Sequence, residues 1–128
     1  MLYPLKFRPR LKPRIWGGST LIAQKGKGLR IDRSRQYGES WDLSGIRGDL
    51  SVVTNGMLKG NNIEELIEVY MGDLVGEKIF ERFGVVFPLL FNTLHAQDTL
   101  SIQVHPDDEL AAERHNSYGK SEMWYITN

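Results

Sequence analysis

The chain has 128 residues, about one domain's worth, with 41% hydrophobic and 25% charged residues, sixteen bases against sixteen acids, and no cysteine. That excludes disulfides and a thiolate metal site, and the longest apolar run, 85–91, is too short to span a bilayer and contains Pro88. Charge is balanced in total but not along the chain: residues 1–35 hold ten bases and one acid (+9), and the remainder holds six bases and fifteen acids (−9).

A basic third of this kind raises the possibility of a nucleic-acid arm. Here, however, the bases are interspersed with Leu, Pro and Trp, which fits basic edge strands packed beside acidic helices in one domain. No apolar stretch follows the N-terminal bases as a secretory leader requires, and with the lack of cysteine this fits a cytoplasmic protein.

The first segment reads as an extended edge, with Leu5, Phe7 and Pro9 on one side and Lys6, Arg8 and Arg10 on the other. Pro4, Pro9 and Pro13 restrict it to edge or irregular pairing. Residues 16–19 (Trp-Gly-Gly-Ser) read as a turn, and 21–23 as a short strand or a helical turn ending at Gly26 and Gly28. The Lys-Gly-Lys-Gly stretch at 25–28 lacks the helix and hydroxyl of a phosphate loop and reads as a plain turn. Residues 38–43 form a strand in which Glu39, Trp41 and Leu43 alternate with Ser40 and Asp42, with Trp41 assigned to the core. A short β-branched strand follows at 51–54, closed by the turn pair Asn55-Gly56.

Two helices come next, as an insertion at about 61–84 covering one side of the sheet. Asn61 or Asn62 caps the first, Glu64 and Glu65 suit its positive end, and Ile63, Leu66, Ile67 and Tyr70 form its core stripe. The second carries Leu74, Val75, Ile79, Phe80 and Phe83 and stops at Gly84. Strand character returns from Val85 to Asn92 or Leu94, with a turn at 96–98; His95 and His115 read as solvated loop residues.

The stretch 100–125 carries the chemistry. Leu100, Ile102 and Val104 alternate with Ser101, Gln103 and His105, so Gln103 and His105 share a face; Pro106 ends the strand, and Asp107, Asp108 and Glu109 suit the first turn of a short helix. A second alternating run from Ser121 puts Glu122, Trp124 and Ile126 on one face, where Glu122 can meet Gln103 and His105 if the two runs share a sheet. An amide oxygen, an imidazole and a carboxylate can ligate a borderline metal such as Zn²⁺. Spacing alone favours the plainer reading, an ordinary amphipathic strand with Ser101, Gln103 and His105 facing water.

The literal strings carry more. L-S-I-Q-V-H-P-D-D-E (100–109) with G-K-S-E-M-W-Y (119–125), together with P-L-K-F-R-P (4–9), I-W-G-G (15–18), G-E-S-W-D-L-S (38–44) and F-P-L-L-F (87–91), closely resembles the short bacterial form of the type I mannose-6-phosphate isomerases, zinc enzymes of the cupin superfamily. The resemblance implies a mainly β, cupin-type double-sheet jelly roll, of which residues 1–128 are the N-terminal portion. It implies Gln103, His105 and Glu122 as Zn²⁺ ligands, Lys120 as a catalytic residue beside the substrate, and Ser101 and Lys120 as contacts to a phosphorylated sugar. The implied reaction interconverts mannose 6-phosphate and fructose 6-phosphate through an enediol, the metal acting as Lewis acid.

The family's last histidine ligand and active-site arginine have no counterpart up to Asn128, so the 128-residue chain alone is expected to be inactive and to leave a sheet edge open to pairing with a second copy. Asn92 stands where the family usually has lysine. Two other readings are a non-catalytic metal- or sugar-binding cupin module and, less favoured, nucleic-acid binding through the basic third. No membrane partner is expected.

Overall fold

The computed structural model of the chain describes residues 2–99 and 121–127. The elements are β1 (Arg10–Gly18), α1 (Thr20–Lys25), β2 (Tyr37–Ser44), α2 (Ile63–Tyr70), α3 (Gly72–Val75), α4 (Glu77–Phe83) and β3 (Leu90–Leu94). The three strands form one antiparallel sheet in the order β1-β2-β3. Its framework is mainly β, with the helices placed between strands, as expected.

The N-terminal segment alternates between partly buried Leu5, Phe7 and Pro9 and exposed Lys6, Arg8 and Arg10, as its period-2 pattern requires. It is tied to residues fifty positions on. Arg8 N–H donates to Val52 C=O (2.9 Å), Thr54 N–H to Lys6 C=O (2.8 Å), and the Tyr3 hydroxyl donates to Asn55 C=O (2.7 Å) while accepting from Leu58 N–H (2.8 Å). Pro13 falls inside β1, an edge strand, at a shift of register where a missing N–H is tolerated.

Trp16, Gly17 and Gly18 do not make a turn: they complete β1 and are buried. A side chain at Gly17 would strike the Tyr37 backbone, and one at Gly38 the Trp16 ring, so the glycines let β1 and β2 close on one another. The helical alternative holds at 20–25, where α1 buries Leu21 against Leu11 and Tyr37 to form the core beside the sheet. Residues 51–54 form no continuous strand, only isolated bridges from Val52 to Asn62 and Val53 to Phe7, because their ladder is split between two partners.

Ser51, fully buried, ties β2 to the helices. Its hydroxyl accepts from Ser44 N–H (2.7 Å), its N–H donates to Ser44 C=O (2.9 Å), and its C=O accepts from Ile63 N–H (2.9 Å). In α2, Asn62 is the cap: its side chain accepts from Glu65 N–H and Glu65 returns the bond, closing a capping box, with Ile63, Leu66 and Ile67 at 4%, 2% and 0% exposure beneath. The second expected helix is two, α3 and α4, because Gly76 sits at φ +92° and breaks the hydrogen-bond run; α4 ends at Gly84, φ +61°, as expected. Leu43 of the sheet faces α2–α4 across an apolar hollow of about 650 Å³ that also takes in Leu5, Phe7, Ile63, Ile79 and Phe83. Residues 85–89 are not strand; β3 starts two residues past Pro88, which has no N–H to give a ladder.

Candidate functional site

Of the residues singled out for chemistry, Ser101, Gln103, His105 and Lys120 lie outside the described residues, as does His115. Glu122 lies within them, exposed, in a segment 121–127 without regular structure. The strand expected from Ser121 is not formed over 121–127: Met123, Trp124, Tyr125 and Ile126 are all exposed, and no described strand pairs with this segment, the run at 100–105 expected beside it lying outside the described residues. Among the described residues no three His, Cys, Asp or Glu side chains gather as a metal site. The donor set itself, one amide oxygen, one imidazole nitrogen and one carboxylate, matches a borderline divalent ion in chemistry and leaves it a net positive charge.

The described sheet presents two polar assemblies. On one face of β2, Glu39 accepts from Arg14 of β1 (Nε to Oε2, 2.6 Å), from Asn92 of β3 (Nδ2 to Oε1, 2.8 Å) and from the Trp41 indole (3.3 Å), so one carboxylate joins all three strands. Asn92 thus has a definite part as a neutral donor, and the positive partner of Glu39 is Arg14. Trp41 is half-buried rather than core, its ring covered by the Lys12 ammonium at 4.4 Å. On the other face, Asp42 accepts from Ser40 (2.8 Å), from Lys25 of α1 (2.7 Å) and from the Thr93 hydroxyl of β3 (2.7 Å), and Thr93 accepts from Lys25 (3.0 Å). The bases of the first third therefore meet the acids of β2, and Asp49, which pairs with Lys12 and Arg10, and not the acids of α2–α4. The reason is register: β1 lies directly against β2, while α2–α4 stand across the hollow.

Both assemblies were missed from sequence, although alternation had placed Glu39 with Trp41 and Ser40 with Asp42. What was absent was the strand order that brings Arg14, Asn92, Lys25 and Thr93 alongside. Every charged member has a partner at hydrogen-bond distance, so their part is to lock the sheet and not to accept a proton or attack a substrate. His95 is half-buried just past β3, its N–H donating to Gly38 C=O (2.8 Å). Asp32, in the loop before β2, has a shifted ionisation: hydrogen bonds from the Ser34 hydroxyl and N–H hold its carboxyl below the usual range, with Arg35 adding to them.

The sequence model for the family described as phosphomannose isomerase type I, catalytic domain, matches residues 4–125. Mannose-6-phosphate isomerase ManA of Bacillus subtilis is 42% identical over 127 residues, covering 96% of this chain and 36% of that protein. The crystal structure of the mannose 6-phosphate isomerase from Bacillus subtilis superposes with a TM-score of 0.69 at 33% identity, over 91% of this chain and 35% of that one. A zinc-bound mannose 6-phosphate isomerase structure gives 0.66 at 26% identity, over 85% and 27%. The chain spans about a third of the length of the curated relatives it matches.

Proposed function

Because the chain belongs to the type I phosphomannose isomerase family, we propose that it is the N-terminal portion of a zinc-dependent enzyme interconverting mannose 6-phosphate and fructose 6-phosphate. The observation that carries this is the family match over 4–125, which runs through all five candidate site residues. Gln103 through its amide oxygen, His105 through a ring nitrogen and Glu122 through its carboxylate hold the ion. A zinc ion so held supplies Lewis acidity for the carbonyl oxygen of the sugar. Lys120 aims an ammonium at a sugar hydroxyl or at the phosphate, and the Ser101 hydroxyl donates to the phosphate, both fixing C1 and C2 for proton transfer. The Glu39 and Asp42 assemblies brace the described sheet β1-β2-β3. The edge of the described sheet at β3, with Phe91 more than half exposed, offers a surface for a second copy.

The test is turnover of mannose 6-phosphate by the gene's full product, stripped of metal and reloaded with zinc, beside His105→Ala and Glu122→Ala. Zinc restores activity to the unaltered protein, and each variant binds zinc at least about tenfold more weakly by calorimetry, since losing even an outer-shell partner costs about that much. Unchanged zinc affinity in both variants would remove the ligand assignment.

A further inference from the structure

Several bases of the first third are engaged and three others share one place. Lys12, Arg14 and Lys25 each hold a carboxylate within 2.7 Å, and Arg33 donates to the carbonyls of Gly26 and Leu29. Arg8 and Arg30 have no acidic partner among the described residues. Both nevertheless line the same place, a surface hollow of about 700 Å³ between the N-terminal segment, the loop after α1 and the chain at 50–52. Arg10 lines it too, and is loosely held: it stands 3.4 Å from the Asp49 carboxylate, which Lys12 occupies at 2.5 Å. Among the described residues no carboxylate lines the hollow, and its lining mixes the three arginines with apolar side chains, Leu29, Ile31 and Leu50 among them.

The backbone that carries Arg8 and Arg30 is held in place by hydrogen bonds. Arg8 is pinned by its N–H to Val52 C=O (2.9 Å), and the loop bearing Arg30 is clamped by Leu29 N–H to Gly26 C=O (3.1 Å) and by the Arg33 guanidinium on the same carbonyl (2.7 Å). Three arginines thus meet from two sides at a concave, partly apolar surface of the size that takes small molecules. We propose that this hollow is a binding site for a phosphomonoester with a ring-shaped or apolar body. Arg8 and Arg30 take the phosphate in the paired N–H geometry that guanidinium groups offer to phosphate oxygens, Arg10 turns from Asp49 to add a third donor, and the body of the ligand covers Leu29, Ile31 and Leu50. Inorganic phosphate reaches the arginines alone and leaves the apolar side chains in water, so the ester binds more tightly. Glu122, the one candidate site residue among the described residues, does not line this hollow.

The test uses isotope-labelled protein and amide NMR with three probes: phenyl phosphate, inorganic phosphate and phenol. Phenyl phosphate is expected to shift the amides of Leu29, Ile31 and Val52 saturably, about tenfold or more tighter than inorganic phosphate, with phenol giving no saturable shift. The double variant Arg8→Gln, Arg30→Gln should weaken phenyl phosphate by at least about tenfold, as expected for two lost charge-assisted contacts. Both side chains are exposed, and thermal unfolding verifies that the variant is folded. Absence of a saturable shift at millimolar phenyl phosphate, or equal affinity in the double variant, overturns the proposal. So does a tetraglutamate peptide that shifts these amides where phenyl phosphate does not, since the surface would then read acidic protein segments.

Discussion

Lys120 stands two residues before Glu122, so replacing it separates substrate chemistry from metal chemistry. In the gene's full product Lys120→Met is expected to lower kcat for mannose 6-phosphate while zinc content, measured by atomic absorption, stays at the level of the unaltered protein, because a positioned charge is lost and the donor set is not. Equal loss of zinc and turnover would assign Lys120 to the fold. Asp32 makes a different prediction. Its folded carboxyl titrates below the ordinary range because the Ser34 hydroxyl and N–H bond to the ionised form. The stability so contributed is complete above the unfolded pKa and is lost as pH falls through the lower folded value. Ser34→Ala removes the larger cause, so the Asp32 titration followed by carboxyl NMR moves upward, and the two proteins converge in stability only in strong acid. A difference confined to neutral pH that disappears above it would contradict this sign.

The elements that could be read from sequence were those whose signals are local. Asn62 with Glu65 three residues later is a complete helix start, and Gly84 a complete stop. Asn62→Ala removes the side-chain acceptor for Glu65 N–H, and is expected to cost about 1 kcal/mol in urea unfolding with the slope unchanged. The elements read wrongly depend on partners far away in sequence. The Trp-Gly-Gly run at 16–18 has the composition of a turn, yet its glycines serve a close crossing with Tyr37 and Gly38, twenty residues on. Alternation at 121–126 is as regular as that at 38–43, yet only the latter has strands on both sides. Gly76 was passed over inside an apolar run whose helical spacing continues across it, although a positive φ there divides the run. For the site, the resemblance of literal strings named residues that spacing alone left open, and four of the five lie outside the described residues.

At the scale of the molecule, the chain has the mainly β fold of its relatives over about a third of their length. The 128-residue chain, loaded with zinc, is expected to be silent in a mannose 6-phosphate assay in which the gene's full product turns over, and to show dimers by light scattering through the edge at β3. A monomer as active as the longer protein would refute both expectations. The long-range anchoring of the N-terminus has a further consequence, in the order of synthesis. Tyr3, Lys6 and Arg8 meet their hydrogen-bond partners only at residues 52–58. A ribosome adding roughly 5–20 residues per second therefore delivers those partners about 3–10 s after the segment they hold, beyond the further delay of the exit tunnel. For that interval Leu5 and Phe7 emerge with nothing of their own chain to cover them, flanked by bases. A chaperone waiting at the tunnel mouth would therefore meet Leu5 and Phe7 before residues 52–58 do.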